Sequence, residues 1–331
     1  MERELALEFV RVTEAAAIAA GRLMGRGDKT GADQVAVDAM RNMLDSVNIR
    51  GTVVIGEGEM DEAPMLYIGE AIGTGDGVPV DIAVDPLEGT NLVSKGMPGA
   101  IAVMAVAPAG HLLHAPDMYM EKIITGPAGR GVIDLDSPIE DNLDRLAKSS
   151  GKSISDLTAV VLDRERHYDV IRRMRQKGAR IKLITDGDVS PAIATGFPES
   201  GVDLLIGIGG APEGVIAAAA IKCLGGEMQA RLMPDDDEQR ARMQAMGLVE
   251  GALLGLDDLV KGQDVLYVAT AITDGDIMHG VRYGPVYCTT HSIVMRSRTG
   301  TIRFVKAMHR LDLKEGAHGN VRDEEEQAIH G

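Results

Sequence analysis

The chain has 331 residues, 45% of them hydrophobic, and a formal net charge of −16. That length suits about two domains or one large one, with enough apolar residues for a real core. The charge argues against nucleic-acid binding, because so acidic a chain repels a phosphate backbone; a small anionic ligand would need local relief from metal ions or a few basic side chains. No apolar run reaches the roughly 18 residues of a membrane span, and the longest candidate, residues 215–220, is short and alanine-rich. The acids in Met1-Glu2-Arg3-Glu4 do not fit a signal peptide. Cys223 and Cys288 lack metal-ligand spacing and read as reduced, partly buried thiols. The expectation is a cytoplasmic protein with no membrane partner.

Residues 3–25 are expected to form a helix, with Leu5, Phe9, Val10, Thr13, Ala16 and Ala17 on one face and Gly25 and Gly27 ending it. Residues 31–47 predict a second helix, with Val35, Ala36, Ala39, Met40, Met43 and Val47 facing inward. Strands follow at 52–55, 80–84 and 101–107. From 159 onward, strands at 159–162, 181–184 and 204–208 alternate with helices at 169–177, from 191, and 213–224, which predicts a parallel sheet covered on both faces. Later strands are expected at 265–269 and 288–295. The chain is divided near 127–156, where Gly, Pro and charges cluster: a metal- and phosphate-binding α+β half (1–150), an α/β sugar-binding half (151–315) and a disordered acidic tail (316–331).

Carboxylates gather at strand ends. The apolar run Val53-Val54-Ile55 passes through Gly56 into Glu57, Glu59, Asp61 and Glu62. A second strand ends in Asp85-Pro86-Leu87-Glu88-Gly89-Thr90, and a third runs through Gly207-Ile208-Gly209-Gly210 to Glu213 at a helix start. Clustered carboxylates repel one another and need an offset. An all-oxygen donor set with no His or Cys suits Mg²⁺ or Mn²⁺ rather than zinc. Gly-Thr at a helix start beside such a site would form a phosphate cradle. Arg164, Arg166 and His167 after the strand at 159–162 could hold a second phosphate, and Asp186 and Asp188 could accept from sugar hydroxyls.

The Asp85–Thr90 segment resembles the Asp-Pro-(Ile/Leu)-(Asp/Glu)-Gly-(Thr/Ser) motif of the lithium-sensitive, metal-dependent phosphatases. Segments 25–29, 54–59, 115–122, 186–189 and 207–214 narrow the resemblance to the class II fructose-1,6-bisphosphatases, over residues 2–310. The resemblance implies an α/β fold of layered α-β-α-β-α type and a homo-oligomer, dimer or tetramer. It implies two or more Mn²⁺ or Mg²⁺ ions on Asp33, Glu57, Asp85, the Leu87 carbonyl, Glu88 and Glu213. It also implies 1-phosphate binding at Glu88, Gly89 and Thr90, with Thr90, Glu59, Asp61 and Lys29 in catalysis. Tyr119, Arg164, Arg166, His167, Asp186, Gly187, Asp188 and Gly210 would contact the sugar and distal phosphate of a sugar bisphosphate. Tyr168 stands where relatives often carry an acid, and Ala271 where glycine is expected.

Three other readings compete. One is a phosphatase of the same superfamily acting on an inositol or nucleotide phosphate, and another is a non-catalytic metal-binding protein. The third, a dinucleotide-dependent oxidoreductase suggested by Gly207-Ile208-Gly209, is opposed by Pro212 at the third glycine position.

Overall fold

The computed structural model describes residues 4–58, 63 and 65–313. Glu59 and Asp61 of the expected site, and the expected tail at 316–331, lie outside them. The chain opens with helices α1 (Leu5–Gly21) and α2 (Lys29–Leu44), then strands β1 (Ile49–Ile55), β2 (Ala71–Ile72) and β3 (Val78–Glu88). Next come α3 (Thr90–Lys95), β4 (Ile101–Pro108), β5 (Tyr119–Thr125) and α4 (Ile139–Ser150). β6 (Thr158–Leu162), α5 (Tyr168–Lys177), β7 (Arg180–Ile184), α6 (Val189–Ala194), β8 (Leu204–Gly210), α7 (Ala211–Leu224) and β9 (Glu227–Met233) follow. The last elements are α8 (Asp237–Ala245), β10 (Leu254–Gly255), α9 (Leu256–Leu259), β11 (Leu266–Ala271), β12 (Arg282–Tyr283), β13 (Tyr287–Arg296) and β14 (Thr301–Arg310).

Two mixed sheets organise these elements. The first has the order β12-β13-β11-β4-β3-β1-β2, with β14 also paired to β13. The second has the order β10-β9-β5-β8-β6-β7. Strand β4 explains the layering. Its alternate side chains Ile101, Val103, Ala105 and Ala107 join the core shared with α7, whereas Ala102, Met104 and Val106 join the core under α1 and α2. A strand buried on both faces loses the polar alternation of a half-exposed one and reads as a continuous apolar run. A third core, built from Leu143 and Leu146 of α4, Ile171 and Met174 of α5 and Ala159 and Val161 of β6, covers the far face of the second sheet. The order is therefore α-β-α-β-α, the layered α/β architecture expected from the sequence.

Helix α7 occupies the middle layer, and its Ala217, Ala218, Ala219 and Ala220 are all buried. A helix sheathed on all sides by sheets must be apolar all round, and small side chains let both sheets approach it. The short alanine-rich run is thus a buried core helix.

Several boundaries and faces differ from the sequence expectations. α1 ends at Gly21 rather than at 25. The chain leaves the helix so that the Gly25 and Gly27 N–H groups can donate to the carbonyls of Val93 and Ser94 in α3, at 2.8 and 2.9 Å. α2 buries Ala32, Ala36, Val37, Met40 and Leu44, and Val35, Ala39 and Met43 are only half-buried, because the stripe turns toward both α1 and the first sheet. The second sheet is parallel only along β7-β6-β8. β5 lies between β8 and β9 and is antiparallel to each, so β8 and β9 share a direction across it.

Candidate active site

Three structural devices bring the acids together. β1 and β3 run parallel, so their C-terminal ends meet on one edge. β3 then carries a bulge against β4. Asp85 pairs with Val103 and Glu88 with Ile101, so three steps on β3 match two on β4. Residues three apart on a regular strand face opposite ways; the extra residue at Pro86 puts Asp85 and Glu88 on the same face. Val103 and Ile101 belong to the core shared with α7, so both acids look toward that helix, whose first turn carries Glu213. A similar shift in β1 between Val53 and Ile55 aims the chain toward Glu57. Asp33 enters from α2, close enough for its charge to act on Glu57.

The result is a cleft of about 360 Å³ lined by Asp33, Glu57, Asp85, Glu88, Asp186 and Glu213, with Leu87, Gly89 and Thr90 on its wall. One carboxylate oxygen each from Asp85, Glu88 and Glu213 lie within 4.8 Å of one another. Asp85 and Glu213 keep part of their side chains open to the cleft, while Glu88 is buried. Burial, with the charge of Asp33 adding to it, pushes Glu57 up to about 7. Burial and then Glu213 and Asp188 push Glu88 to about 8. Asp85 rises well above its ordinary value through burial and then the charges of Glu88, Glu57 and Glu213. Burial raises Asp33 and Glu213 as well, with Lys122 opposing the rise at Glu213.

Such a group of acids is poorly satisfied by the protein itself. Glu213 Oε2 is buried and has no hydrogen-bond partner. A buried polar atom without a partner costs about 1–3 kcal/mol, more if charged. An all-oxygen set of converging carboxylates with an orphaned oxygen fits a hard divalent cation. Asp33, Glu57, Asp85, Glu88 and Glu213 all line the one cleft.

The neighbouring backbone is shaped for a close approach. Gly89 has φ +91°, a left-handed conformation that side chains disfavour. Thr90 Oγ1 lies 3.4 Å from the Leu87 carbonyl oxygen, and the Leu87 amide donates to Asp85 at 3.0 Å. Asp186 accepts from both the backbone and side-chain nitrogens of Asn91, at 3.1 and 2.9 Å, which anchors the start of α3. Val189 N donates to Glu88 Oε1 at 3.0 Å. Gly56 has no room for a side chain, which would collide with the Leu66 carbonyl.

The remaining expected residues lie around this cleft rather than on its wall. Arg166 stacks over the Tyr119 ring at 4.9 Å and donates through Nη2 to the Ile208 carbonyl at 2.8 Å. Tyr119 pairs with Gly210, the residue before α7. Arg164 donates to the Thr185 carbonyl at 2.7 Å. Gly187 packs against Gly89, and Asp188 pairs with Lys122 at 2.7 Å. Lys29 is exposed in the first turn of α2.

His167 does not have the placing expected of a phosphate ligand. It is 2% exposed. Its Nδ1 lies 2.8 Å from the Leu162 carbonyl, and its Nε2 accepts from Ile208 N at 2.8 Å. Both ring nitrogens are spent on backbone, which requires a neutral ring with the proton on Nδ1. Burial lowers its proton affinity in the same sense.

Four residues near the cleft escaped the sequence reading: Asp117, Asn91, Lys122 and Tyr267. Asp117 lines the wall. Tyr267 is wholly buried with an unpartnered hydroxyl, and the charges of Glu88 and Asp85 reach it. Lys122 had a sequence signal: it alternates with the apolar Met120 and Ile124, on the buried side of a strand.

Comparison with known proteins agrees with this geometry. The family described as "Bacterial fructose-1,6-bisphosphatase, glpX-encoded" matches residues 3–309. The chain is 50% identical over 328 residues to fructose-1,6-bisphosphatase 1 class 2 of Escherichia coli K12, covering 95% of this chain and 98% of that one. The class 2 fructose-1,6-bisphosphatases of Escherichia coli O6:H1 and Shigella flexneri match with the same identity and coverage. The bulged Asp85–Glu88 strand, the facing Glu213 and the match along nearly the whole chain lead to one conclusion: this chain belongs to the bacterial, glpX-encoded fructose-1,6-bisphosphatase family.

Proposed function

We propose that the chain hydrolyses the 1-phosphate of fructose 1,6-bisphosphate, giving fructose 6-phosphate and inorganic phosphate, as a step of gluconeogenesis. The observation that carries this is the carboxylate cleft with its orphaned Glu213 oxygen, in a chain of this family. Asp33, Glu57, Asp85, Glu88, Glu213 and the Leu87 carbonyl would hold two or more Mn²⁺ or Mg²⁺ ions. When bound, these supply a more acidic water and polarise phosphoryl oxygens. Thr90 offers a hydroxyl beside the Leu87 carbonyl to orient the attacking water, and Gly89 lets the 1-phosphate approach the backbone. Glu59 and Asp61, with Lys29, are the proposed proton-handling groups on the strength of the family resemblance. Glu88 and the 186–188 turn meet the sugar side, held in place by Asn91 and Val189.

For the distal phosphate, the support is Arg166. Its guanidinium is fixed by Tyr119 and the Ile208 carbonyl, beside Gly210, with Nη1 left to meet an anion. Arg164 is second in line, and His167 supports this wall by fixing Ile208 N. Two buried cysteines suit a cytoplasmic setting, and no helix among the described residues is long and apolar enough to cross a membrane. Exposed Ile302, Phe304 and Met308 on strand β14 offer apolar surface for a homo-oligomer.

The test is phosphate release from fructose 1,6-bisphosphate with Mn²⁺ or Mg²⁺, beside sedoheptulose 1,7-bisphosphate, inositol 1-phosphate and an EDTA control. Metal-dependent release mainly from a ketose bisphosphate is expected. Release from the inositol monophosphate alone would overturn the substrate, and release from none would overturn catalysis.

A further inference from the structure

Among the described residues, Lys122 is the one lysine or arginine that is fully buried, at 1% exposure. A buried ammonium is costly unless paired and hydrogen-bonded. Lys122 Nζ lies 2.7 Å from Asp188 Oδ2 and 3.2 Å from the Gly210 carbonyl oxygen. The fold makes room for the pair: a side chain on Gly209 would run into both Asp188 and the Lys122 terminus. Lys122 therefore braces two segments that flank the cleft. Through Asp188 it holds the turn whose next residue, Val189, donates to Glu88. Through Gly210 it holds the residue just before α7, three positions ahead of Glu213.

The location raises a problem of selection. Asp188 is a further acid beside the five proposed cation ligands, near enough for its charge to act on Glu88 and Glu213. A free carboxylate there would compete for the same cations. We propose that Lys122 is a positioning residue that locks Asp188 out of the cation-binding set and turns the 186–188 segment toward the sugar. In this arrangement the acids of α2, β3 and α7, with Glu57 just after β1, serve cations, and the acids of the 186–188 turn serve the substrate. The division is set by one buried positive charge on β5.

The inference rests on the function proposed above, and its test separates the two. Lys122→Met frees Asp188. In substrate-free protein, a Mn²⁺ titration by calorimetry should shift its apparent Kd at least threefold from wild type. The KM for fructose 1,6-bisphosphate should rise tenfold or more. Lys122→Arg, which keeps the charge, should restore most of both. Adding Asp188→Asn to Lys122→Met should return the Mn²⁺ titration to the wild-type curve while the KM defect stays. That double variant buries no unpaired charge, so it carries the test should Lys122→Met fail to fold. A folded Lys122→Met with wild-type Mn²⁺ binding and wild-type KM would overturn the proposal. So would a double variant that binds Mn²⁺ unlike wild type. If wild type fails to hydrolyse the bisphosphate, the function is lost, and the Mn²⁺ arm still decides the role of Lys122.

Discussion

The first sheet carries a buried polar cluster on each face, and the two differ in kind. Toward α1, Thr13 meets Thr270 and Thr270 meets Ser292, each at 2.8 Å. Beside them Thr290 donates to Glu14 at 2.9 Å and lies 2.8 Å from His309 Nε2. Hydroxyls there both give and accept, and the one acid has an imidazole 3.7 Å away. Toward α7, Asp85, Glu88 and Glu213 can only accept when ionised, and one Glu213 oxygen finds nothing. The same sheet thus hides a closed network on one face and an open valence on the other. Burial of polar groups alone does not indicate a site; a set of carboxylate acceptors with too few donors, one oxygen left with none, does.

The sharpest way to break this comparison is to remove one acceptor. Glu213→Gln should lower kcat/KM by about 10²–10³-fold, comparable to the loss of one transition-state contact. In EDTA the same variant should be more stable than wild type by about 0.5–2 kcal/mol, because a repelling charge has gone. Enzyme assay and thermal melting read the two effects. A Glu213→Gln protein with wild-type turnover, or one less stable in EDTA, would put the α7 face in the same class as the α1 face.

pH gives a second contrast. Glu57 and Glu88 rise from 4.5 to about 7 and about 8 in the folded chain. A carboxylate raised on folding costs nothing below its unfolded value, where both states are protonated. Its penalty grows as pH climbs from about 4.5 through the folded value. At about 1.4 kcal/mol per unit, shifts of this size cost several kcal/mol. In EDTA the melting temperature should therefore fall between pH 5 and 8.5, and saturating Mn²⁺ should abolish or reverse the fall. A metal-free melting curve that is flat with pH would mean the acids are already compensated within the chain.

Much of the site was legible because its chemistry is local. Asp85, Glu88 and Gly89 sit in one short motif, and Glu57 and Glu213 each end an apolar run that the structure confirms as β1 and β8–α7. The legible part of the fold was similarly local: the α1 stripe, and strands such as β4 whose apolar runs needed no partner to be recognised. What escaped depended on distant partners. β5 was passed over because Glu121 and Lys122 interrupt its apolar run; Lys122 keeps the alternation of Met120 and Ile124, but the partners that allow two charges there, Asp188 and Arg231, come from distant parts of the chain. His167 was read by residue type as an anion ligand, and only the fold shows the Leu162 carbonyl and Ile208 amide that occupy it. α4 was a plainer omission. Ile139, Leu143, Leu146 and Ala147 keep helical spacing between Pro138 and Gly151, and those signals were present in the residues themselves.

The smallest expected effect tests the closed side of the comparison. Glu14→Ala removes a carboxylate that is 4% exposed and accepts from Thr290, itself 1% exposed. Thr290 keeps His309 as a partner, so the network is thinned rather than emptied. The loss should be about 1–3 kcal/mol of stability, the cost of a buried hydrogen bond and its cavity. Turnover per folded molecule should not change, because Glu14 lies under α1, on the face of the first sheet opposite the one that carries Asp85 and Glu88. Chemical denaturation with a parallel activity assay measures both quantities. A Glu14→Ala protein of normal stability but reduced kcat would show that the two faces of the sheet are coupled, and that the α1 cluster belongs to the working machinery rather than to its support.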